Sequence, residues 1–458
     1  MKKYILSLIS AVFALAVSAQ TPEVIREIIR QNPNFAEPTV TTYDNIKIGK
    51  IAEPPKGYKP FYFTMTSRHG SRYELYDEYF SQPTEVYNRA SELGILTPLG
   101  EEVRAILNRA TAEQTGRGGE LTSLGQAQLR GVGRRAYANF KSLFDSGSVE
   151  GKASTKMRCV FSMVAFVDGL KEKNSTMPVE IESREGFLPM LRPMADHTDI
   201  PRELKRDWAK YAKKGEGWTN ESLEWLSKQD ISQMLSKITT NPELIVEKCG
   251  GQNIYLFACN THHLLLFSQN LGVCDGNIMT RVFTPEEQYA FYIYQTNRWL
   301  HFSGGWGNPF IELYTSYMKP LVDDILGKAQ EAIDGKNPHI ANLRFTHDTY
   351  VVPLLSIFGY EGCALQYGND LELACCSAPL AKLMPMAANI QLVLYRNKVG
   401  DVLVRSLINE GDAYLPIECK TAPFYPWEDF CKLVDENMGK LLETRKKLLQ
   451  KYNEGVEK

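Results

Sequence analysis

An apolar strand that ends in a cluster of basic residues constrains this chain more than any other feature. Residues 61–66 begin with aromatic and apolar side chains, the composition of a buried β-strand. Two arginines, a histidine and a glycine follow within five residues: Arg68, His69, Gly70, Ser71 and Arg72. Open α/β sheets place their ligand sites at the carboxyl ends of such strands. We therefore expect a binding site at this point.

The residue types in this stretch suit a phosphate ligand. The planar guanidinium groups of Arg68 and Arg72 can each hold phosphate oxygens in a bidentate manner. The imidazole of His69 lies between them in sequence and can act as a nucleophile toward phosphorus. Gly70 lets the backbone turn sharply and approach a ligand closely. Taken alone, the same residues also fit a surface loop with an exposed histidine.

A second apolar strand ends in a histidine much later in the chain. Residues 340–345 are mostly apolar, and His347 and Asp348 follow shortly after them. Asp348 could merely cap the helix that the next residues predict. However, the chain has only seven histidines, and two of them terminate similar strands. We therefore expect His69 and His347 to lie at one site.

Other arginines in the first half of the chain can be explained as surface charges without any role in ligand binding. Thr122 is a good N-cap for a helix that runs to Phe140, and three arginines give this helix a solvated face: Arg130, Arg134 and Arg135. Arg158 lies at the start of another apolar helix. By itself it is typical of an exposed surface charge, because isolated arginines are usually exposed.

Length and charge limit the classes of function. The chain has 458 residues, of which 43% are hydrophobic, so it can bury more than the core of one average domain. Its formal net charge is −2, so basic residues are not in excess, which argues against a nucleic-acid partner. An anionic substrate must therefore be attracted by a local positive site. The oligomeric state is left open.

The N-terminus has the three parts of a secretory signal peptide. A charged start is followed by an apolar run over residues 4–17 and by small residues that end at Ala19. The run is too short for a comfortable membrane span, so we expect no stable membrane anchor. We expect residues 1–19 to be removed, with the mature chain beginning at Gln20 or Thr21 in the periplasm or outside the cell.

Cysteine usage gives no evidence of a metal site. The chain has nine cysteines, and an oxidising compartment would permit disulfides between them. The odd number leaves at least one thiol free or paired with another molecule, and Cys159 has the surroundings of a buried thiol. No two cysteines have the CxxC spacing of zinc sites, so we expect no bound metal.

Apolar strands that alternate with helices predict the α/β class, as a three-layer sandwich with a central mixed, mostly parallel sheet. A smaller α-helical domain is expected as an insertion, because one long region is rich in helix formers. The predicted order is a surface segment over 20–49, an α/β domain over 50–185 and 336–420, a helical insertion over 186–335, and a C-terminal helix over 421–458.

The roles of two features of the insertion remain open. His262 and His263 are adjacent and invite a metal interpretation, but no third ligand at a suitable spacing accompanies them. Histidines that are satisfied beside a packed helix are the simpler interpretation. The aromatic, glycine-rich residues 299–308 suit either a substrate pocket or a domain junction.

The basic stretch resembles the RHGxR motif of the histidine phosphatase superfamily, whose second clade holds the histidine acid phosphatases and phytases. Tyr73 extends it to the RHGxRY form of multiple inositol polyphosphate phosphatases. His347 and Asp348 resemble the clade's HD motif, and Thr349 its HDT extension. Two more segments are similar to clade patterns: LTxxGxxQ…GxxxRxxY at residues 121–137 and ASxxxR…S…F..GL at residues 153–170, which contains Arg158.

This resemblance implies an exported phosphomonoesterase that acts on small phosphate esters, with inositol polyphosphates such as phytate as the expected substrates. His69 would attack phosphorus to form a phosphohistidine, and Asp348 would protonate the leaving oxygen and later activate water. The implied phosphate ligands are Arg68, Arg72, Arg158 and Thr349, with His347 as a further donor. The arginines supply the positive charge, so neither a metal nor another cofactor is expected.

Two departures from the clade patterns leave the substrate open. Many acid phosphatases read RHGxRxPT, whereas Glu74 and Leu75 occupy the last two positions here, so a threonine that would contact phosphate is missing. Enzymes with the RHGxRY form usually carry HAE rather than HD. A broad acid or sugar phosphatase is one alternative, and a phosphate-ligand binding protein without activity is another. The intact His69 and Asp348 favour an enzyme, because binding alone needs neither.

Overall fold

A mixed β-sheet forms the centre of the computed structural model, which describes residues 21–193, 200–212, 218–251, 253–274, 276–302 and 305–456. The strands are β1 (Lys59–Arg68), β2 (Ser148–Ala153), β3 (Val179–Ser183), β4 (Gly305–Trp306), β5 (His339–Thr346), β6 (Leu365–Gln366), β7 (Asn389–Arg396), β8 (Val402–Ile408), β9 (Gly411–Ala413) and β10 (Phe424–Pro426). The expected signal peptide, residues 1–19, lies outside the described residues.

The helices surround this sheet and form a second packed region beside it. They are α1 (Pro22–Gln31), α2 (Glu78–Glu92), α3 (Pro98–Gln114), α4 (Ser123–Asn139), α5 (Lys141–Phe144), α6 (Met157–Lys171), α7 (Leu188–Leu191), α8 (Arg202–Ala212), α9 (Trp218–Leu226), α10 (Ser232–Ile238), α11 (Pro242–Glu247), α12 (Ile254–Ser268), α13 (Asn277–Val282), α14 (Pro285–Phe302), α15 (Pro309–Ser316), α16 (Lys319–Ile333), α17 (Asp348–Ile357), α18 (Leu371–Cys375), α19 (Leu380–Leu383) and α20 (Trp427–Val456).

The strands of the main sheet follow the order β10-β8-β7-β1-β5-β2-β3, with β9 beside β8. The pairings β1–β5, β5–β2 and β2–β3 are parallel. The pairings β1–β7, β7–β8, β8–β9 and β8–β10 are antiparallel. The α/β class and the mixed sheet are therefore confirmed. The sheet is not mostly parallel as expected, because parallel pairing is limited to the β1-β5-β2-β3 half. β4 and β6 form a separate two-stranded ladder.

Side chains of the central strand β1 alternate between two cores. Phe63 lies on one face of the sheet, in a core that also contains Val132 of α4 and Phe166 of α6. Tyr62 faces the opposite core, which contains Leu354 of α17 and residues of α16 and α20. Because both faces are covered, nearly every residue of β1 after Phe61 is buried, as in a central strand. The result is the three-layer sandwich expected from the sequence.

A third core lies among the helices of the predicted insertion. It joins apolar residues of α9 to α14, such as Phe257 and Phe291. Phe80 of α2 and Val103 of α3 also belong to it, although the sequence assigned those helices to the α/β domain. Residues 421–426 differ as well, since they carry β10 before the C-terminal helix begins at Trp427. The domain boundaries otherwise stay a prediction.

The described cysteines are all thiols, and Cys159 is fully buried as expected. Its Sγ donates to the carbonyl oxygen of Thr346 at 3.3 Å. No helix within the described ranges is long and apolar enough to cross a membrane.

Candidate active site

Two parallel strands bring the two histidine motifs together at one edge of the sheet. β1 and β5 are neighbours, and their register pairs Arg68 with Thr346. The residues that follow these two positions, His69 and His347, therefore leave the sheet side by side. The amide of His69 donates to the Thr346 carbonyl oxygen at 3.1 Å, and the two imidazole centroids are 5.5 Å apart.

The imidazole of His69 is oriented by its own backbone neighbour. Nδ1 lies 2.9 Å from the carbonyl oxygen of Gly70. Because a carbonyl only accepts, Nδ1 carries the proton and the lone pair is on Nε2. Burial lowers the pKa of His69 well below its usual value, and the charges of Arg158 and Arg68 lower it further. The ring is therefore a neutral base with a free nucleophilic nitrogen.

The loop after His69 is held by residues of the glycine-containing segment at the start of α4. A Cβ atom on Gly70 would collide with the backbone of Gly125 in α4, and one on Gly125 would collide with the backbone of Ser71, so both positions require glycine. Thr122 caps α4, as predicted, and both its amide and its hydroxyl donate to the carbonyl oxygen of Ser71, at 2.9 and 3.0 Å. Gln128 accepts from the amide of Ser71 at 2.9 Å. This segment thus fixes the shape of the loop.

Arg68 and Asp348 form an ion pair at the base of the site. Arg68 Nη2 lies 2.8 Å from Asp348 Oδ2, with the arginine side chain 1% exposed and the carboxylate 18% exposed. Arg68 Nη1 also donates to the Met384 carbonyl oxygen at 3.1 Å. Burial tends to raise the pKa of Asp348, but Arg68 and His347 outweigh it and hold this pKa below its usual value. Asp348 is therefore ionised before any ligand arrives.

Thr349 follows Asp348 in the first turn of α17. Its amide donates to Asp348 Oδ1 at 2.9 Å, so both carboxylate oxygens have a donor. Thr349 is partly buried, and its role in phosphate binding stays a prediction.

Arg158 and His347 face each other across the site. Arg158 is the second residue of α6, and its Nη2 lies 3.4 Å from His347 Nδ1. Since a guanidinium only donates, Nδ1 of His347 accepts and Nε2 carries the proton, which it donates to Ser154 Oγ at 3.3 Å. Burial and the nearby charge of Arg158 lower the pKa of His347 to about 3.

Arg72 lies on the other side of the loop. Its Nη1 donates to the Tyr73 carbonyl oxygen at 2.8 Å and to Glu74 Oε2 at 3.3 Å. Its guanidinium carbon lies 5.6 Å from the ring centroid of Phe267 in α12. The side chain of Arg72 is only partly buried, so its other nitrogen atoms can donate to a ligand.

Arg192 is a site residue that the sequence analysis missed. The hydroxyl of Thr346 donates to the carbonyl oxygen of Leu191 at 2.5 Å, which anchors the end of α7 beside His347. Arg192 follows directly, and its charge lowers the pKa of both His347 and Arg158. Its Nε is buried and has no hydrogen-bond partner. No motif surrounds this arginine, so only the contact between the preceding Leu191 and β5 reveals it.

The positive charges of the site are only partly balanced. Arg68 is paired with Asp348, and Arg72 is paired with Glu74. Within the described residues, neither Arg158 nor Arg192 has a carboxylate within ion-pair distance. Buried Nε atoms of Arg68, Arg158 and Arg192 also lack partners. Unpaired guanidinium donors around a neutral imidazole are suited to an anion with several oxygen atoms.

No group of three or more potential metal ligands is present among His, Cys, Asp and Glu in the described part of the chain. His262, one of the two histidines left open above, is instead buried between Phe283 and Phe291.

The fold and the four motifs define a histidine phosphatase. A model of the histidine phosphatase superfamily, branch 2, matches residues 63–409, and the chain belongs to this family. A thiamine-repressible acid phosphatase, pho4 of Schizosaccharomyces pombe, is 19% identical over 324 residues. That match covers 69% of this chain and 65% of the yeast protein, slightly under two thirds of its length.

Solved structures share the fold. The multiple inositol polyphosphate phosphatase of Bifidobacterium longum, in complex with inositol hexasulfate, superposes with a TM-score of 0.69 at 17% identity. This similarity covers 88% of the chain described here and 97% of the Bifidobacterium chain. A phytase from D. castellii has a TM-score of 0.60 at 18% identity, with coverages of 88% and 84%.

Proposed function

We propose that the protein is a phosphomonoesterase that works through a phosphohistidine on His69. The observation that carries the proposal is the neutral imidazole of His69, whose Nδ1–H is bound to Gly70 and whose Nε2 lone pair is free among arginines. A nucleophile must be unprotonated, and positively charged donors around it stabilise the charge that develops on the phosphoryl oxygens.

The reaction proceeds in two steps. In the first, Nε2 of His69 forms a bond to phosphorus while the bond to the ester oxygen breaks, and protonated Asp348 gives its proton to that oxygen. In the second, water attacks phosphorus, Asp348 takes up a proton, and the bond to Nε2 breaks to release inorganic phosphate. Arg68, Arg72 and Arg158 bind the transferring oxygens in both steps, where single donors are typically worth roughly 3–4 kcal/mol.

Asp348 must gain a proton before the first step, since it is ionised at rest. A bound phosphate group supplies negative charge beside this carboxylate and competes for the guanidinium of Arg68. Both effects raise the pKa of Asp348 in the complex. Asp348 can therefore act as a general acid only once substrate is bound, and more readily at acidic pH.

We propose polyphosphorylated inositols as the substrate class. Arg192 lacks a carboxylate partner in the described chain and is additional to the three arginines on the reacting phosphoryl group, so its charge suits a substrate with more than one phosphate group. Two relatives with the same fold are named for such chemistry, the inositol polyphosphate phosphatase of Bifidobacterium longum and the D. castellii phytase. A phosphatase of broad specificity is the second candidate, because His347 and Asp348 form the HD motif rather than the HAE motif that usually accompanies the RHGxRY form.

The test traps the covalent intermediate. Wild-type protein mixed with labelled nitrophenyl phosphate and quenched in base should retain acid-labile phosphate, and turnover should persist with EDTA present. His69→Ala should abolish both signals. His339→Gln is the matched control, because His339 lies at the opposite end of β5 and contacts Ser148. Wild-type turnover in His69→Ala would remove His69 as the nucleophile, and ligand binding without turnover in the wild type would indicate a binding protein.

We also propose that the protein is exported after removal of residues 1–19. The support is the charged, apolar and small-residue pattern of the N-terminus. Sequencing the N-terminus of the exported protein tests this, and a chain that begins at Met1 would contradict it.

A further inference from the structure

A row of buried charged side chains runs behind Arg72, away from the phosphate site. Glu74 Oε2 lies 3.3 Å from Arg72 Nη1, and Glu74 Oε1 lies 3.5 Å from His263 Nε2. The other nitrogen of that imidazole, Nδ1, lies 2.6 Å from Glu37 Oε1. The two carboxylates are almost fully buried, with Glu37 3% exposed and Glu74 5% exposed.

The row joins three parts of the chain that are far apart in sequence. Glu37 comes from the N-terminal segment, Glu74 from the loop that carries the basic motif, and His263 from α12. His263 and Phe267 are one helical turn apart in α12. His263 contacts Glu74, and the ring of Phe267 faces the guanidinium of Arg72. The helical core is thereby connected to a phosphate-binding arginine through one histidine.

The charges in this row alternate. Burial tends to lower the pKa of His263, but Glu37 and Glu74 outweigh it and raise this pKa to about 10. The pKa values of Glu37 and Glu74 are lowered despite burial, by His263 in the first case and by Arg72 and His263 in the second. His262, 3.7 Å from Glu37, remains neutral because burial lowers its pKa.

We propose that His263 is a positioning residue for phosphate binding, which acts by engaging Glu74 from the side opposite Arg72. The inference rests on the proposed function, since Arg72 is taken as a phosphate ligand there. Two cations share the carboxylate of Glu74, so it holds Arg72 in place through one nitrogen without occupying the whole guanidinium. The remaining donors of Arg72 stay available to phosphate oxygens.

Removal of His263 changes this balance in a defined direction. Glu74 would be left with Arg72 as its one cationic partner among the described residues and would bind it more tightly. The guanidinium would then turn from the phosphate toward the carboxylate. Substrate and inorganic phosphate would both lose affinity, while the nucleophile and the general acid would keep their geometry. KM should therefore rise more than kcat falls.

The test is a double-mutant cycle between His263 and Glu74, read by calorimetric binding of inorganic phosphate and by KM and kcat for nitrophenyl phosphate. We expect His263→Gln to weaken phosphate binding on the order of tenfold, as for a lost charge-assisted hydrogen bond. The same substitution in the Glu74→Gln background should have no further effect, because its partner is gone. His263→Lys, which keeps the cation, should restore part of the affinity. His339→Gln, at the far end of β5, is the control.

Equal losses in the two backgrounds would overturn the inference, because His263 would then act independently of Glu74. Unchanged phosphate affinity in His263→Gln would also overturn it. If that variant does not fold, Glu37→Gln is combined with His263→Gln, because a neutral glutamine then replaces the buried carboxylate of Glu37, which would have lost its cationic partner. Wild-type phosphate affinity in the double variant, or failure of both variants to fold, would assign His263 to core assembly instead. Since binding is measured without turnover, a failure of the phosphatase proposal would remain distinguishable.

Discussion

The guanidinium of Arg68 lies 2.8 Å from Asp348 Oδ2, so the carboxyl group proposed as the proton donor is paired with a cation before substrate arrives. Without substrate, such a pair keeps Asp348 in its ionised form. A phosphate ester that inserts its oxygens between the two groups separates them. In the proposed mechanism, the same contact thus links substrate binding to the protonation of Asp348.

The role of Asp348 predicts a dependence on the leaving group. Asp348→Asn should slow hydrolysis of inositol or sugar phosphates by about 10²–10⁴-fold, because an alkoxide must be protonated as it departs. Nitrophenolate is a stable anion and should depart almost unaided, so its release should be affected far less. The measurement is the rate of phosphoenzyme formation for both substrates in both proteins. Equal losses would show that Asp348 is not the acid.

The low pKa of His69 predicts that the nucleophile works in acid. An ordinary histidine titrates near pH 6.5 and would be mostly protonated at pH 5. Because the pKa of His69 is lowered well below this value, the neutral form persists as the pH falls. Phosphoenzyme formation from nitrophenyl phosphate should therefore change little between pH 7 and pH 5. A steep decline centred near pH 6.5 in rapid-quench experiments would contradict the assignment.

Arg158 should contribute to transition-state stabilisation. Arg158→Ala should lower kcat about a hundredfold and weaken inhibition by inorganic phosphate, the order expected for one lost oxyanion donor. Arg134→Ala is a matched control, because Arg134 is an exposed arginine that pairs with Glu172 on the surface. Inhibition by phosphate as strong as in the wild type would show that Arg158 is not a ligand.

The place of each histidine motif at the end of a strand could be predicted from the sequence because its cause is local. Each motif follows an apolar strand directly, and the carboxyl ends of adjacent parallel strands share one edge of the sheet. β1 and β5 provide that arrangement. Thr122 was likewise predictable as a cap, since capping depends on residues three positions apart.

Contacts between distant segments account for what the sequence did not predict. Arg135 was assigned to a solvated face with Arg130 and Arg134, and its side chain is 37% exposed, but the sequence did not indicate its partner. Its guanidinium pairs with the buried Glu410 at 2.8 Å, 275 positions away. Arg192 was missed because its place depends on a contact between Leu191 and Thr346. No local pattern contains either relationship.

The contact between Gly70 and Gly125 predicts a loss of activity without any change in a catalytic group. Gly125→Ala would push α4 away from the loop after His69, because a Cβ there collides with the carbonyl oxygen of Ser71. We expect at least a tenfold loss of kcat/KM and about 1–3 kcal/mol of lost stability, as for overpacking. Gly327→Ala is the control: a Cβ at this position in α16 meets no atom within 4 Å, and stability should rise by about 0.5–1 kcal/mol. Wild-type kinetics in Gly125→Ala would show that the loop does not depend on this contact.

Arg192 should distinguish substrates by their number of phosphate groups. It lies beside His347 without a carboxylate partner in the described residues, but the transferring phosphoryl group already has three arginine ligands in the proposed mechanism. If Arg192 binds a second phosphate group, Arg192→Ala should lower kcat/KM for inositol hexakisphosphate about tenfold or more, the scale of one charge-assisted hydrogen bond. The loss for nitrophenyl phosphate, which has one phosphate group, should be severalfold smaller. The measurement is kcat/KM for both substrates at several ionic strengths, with Arg134→Ala as the control for a general change in charge. Equal losses for the two substrates would place Arg192 on the reacting phosphoryl group, and the selectivity for polyphosphorylated substrates would then need another cause.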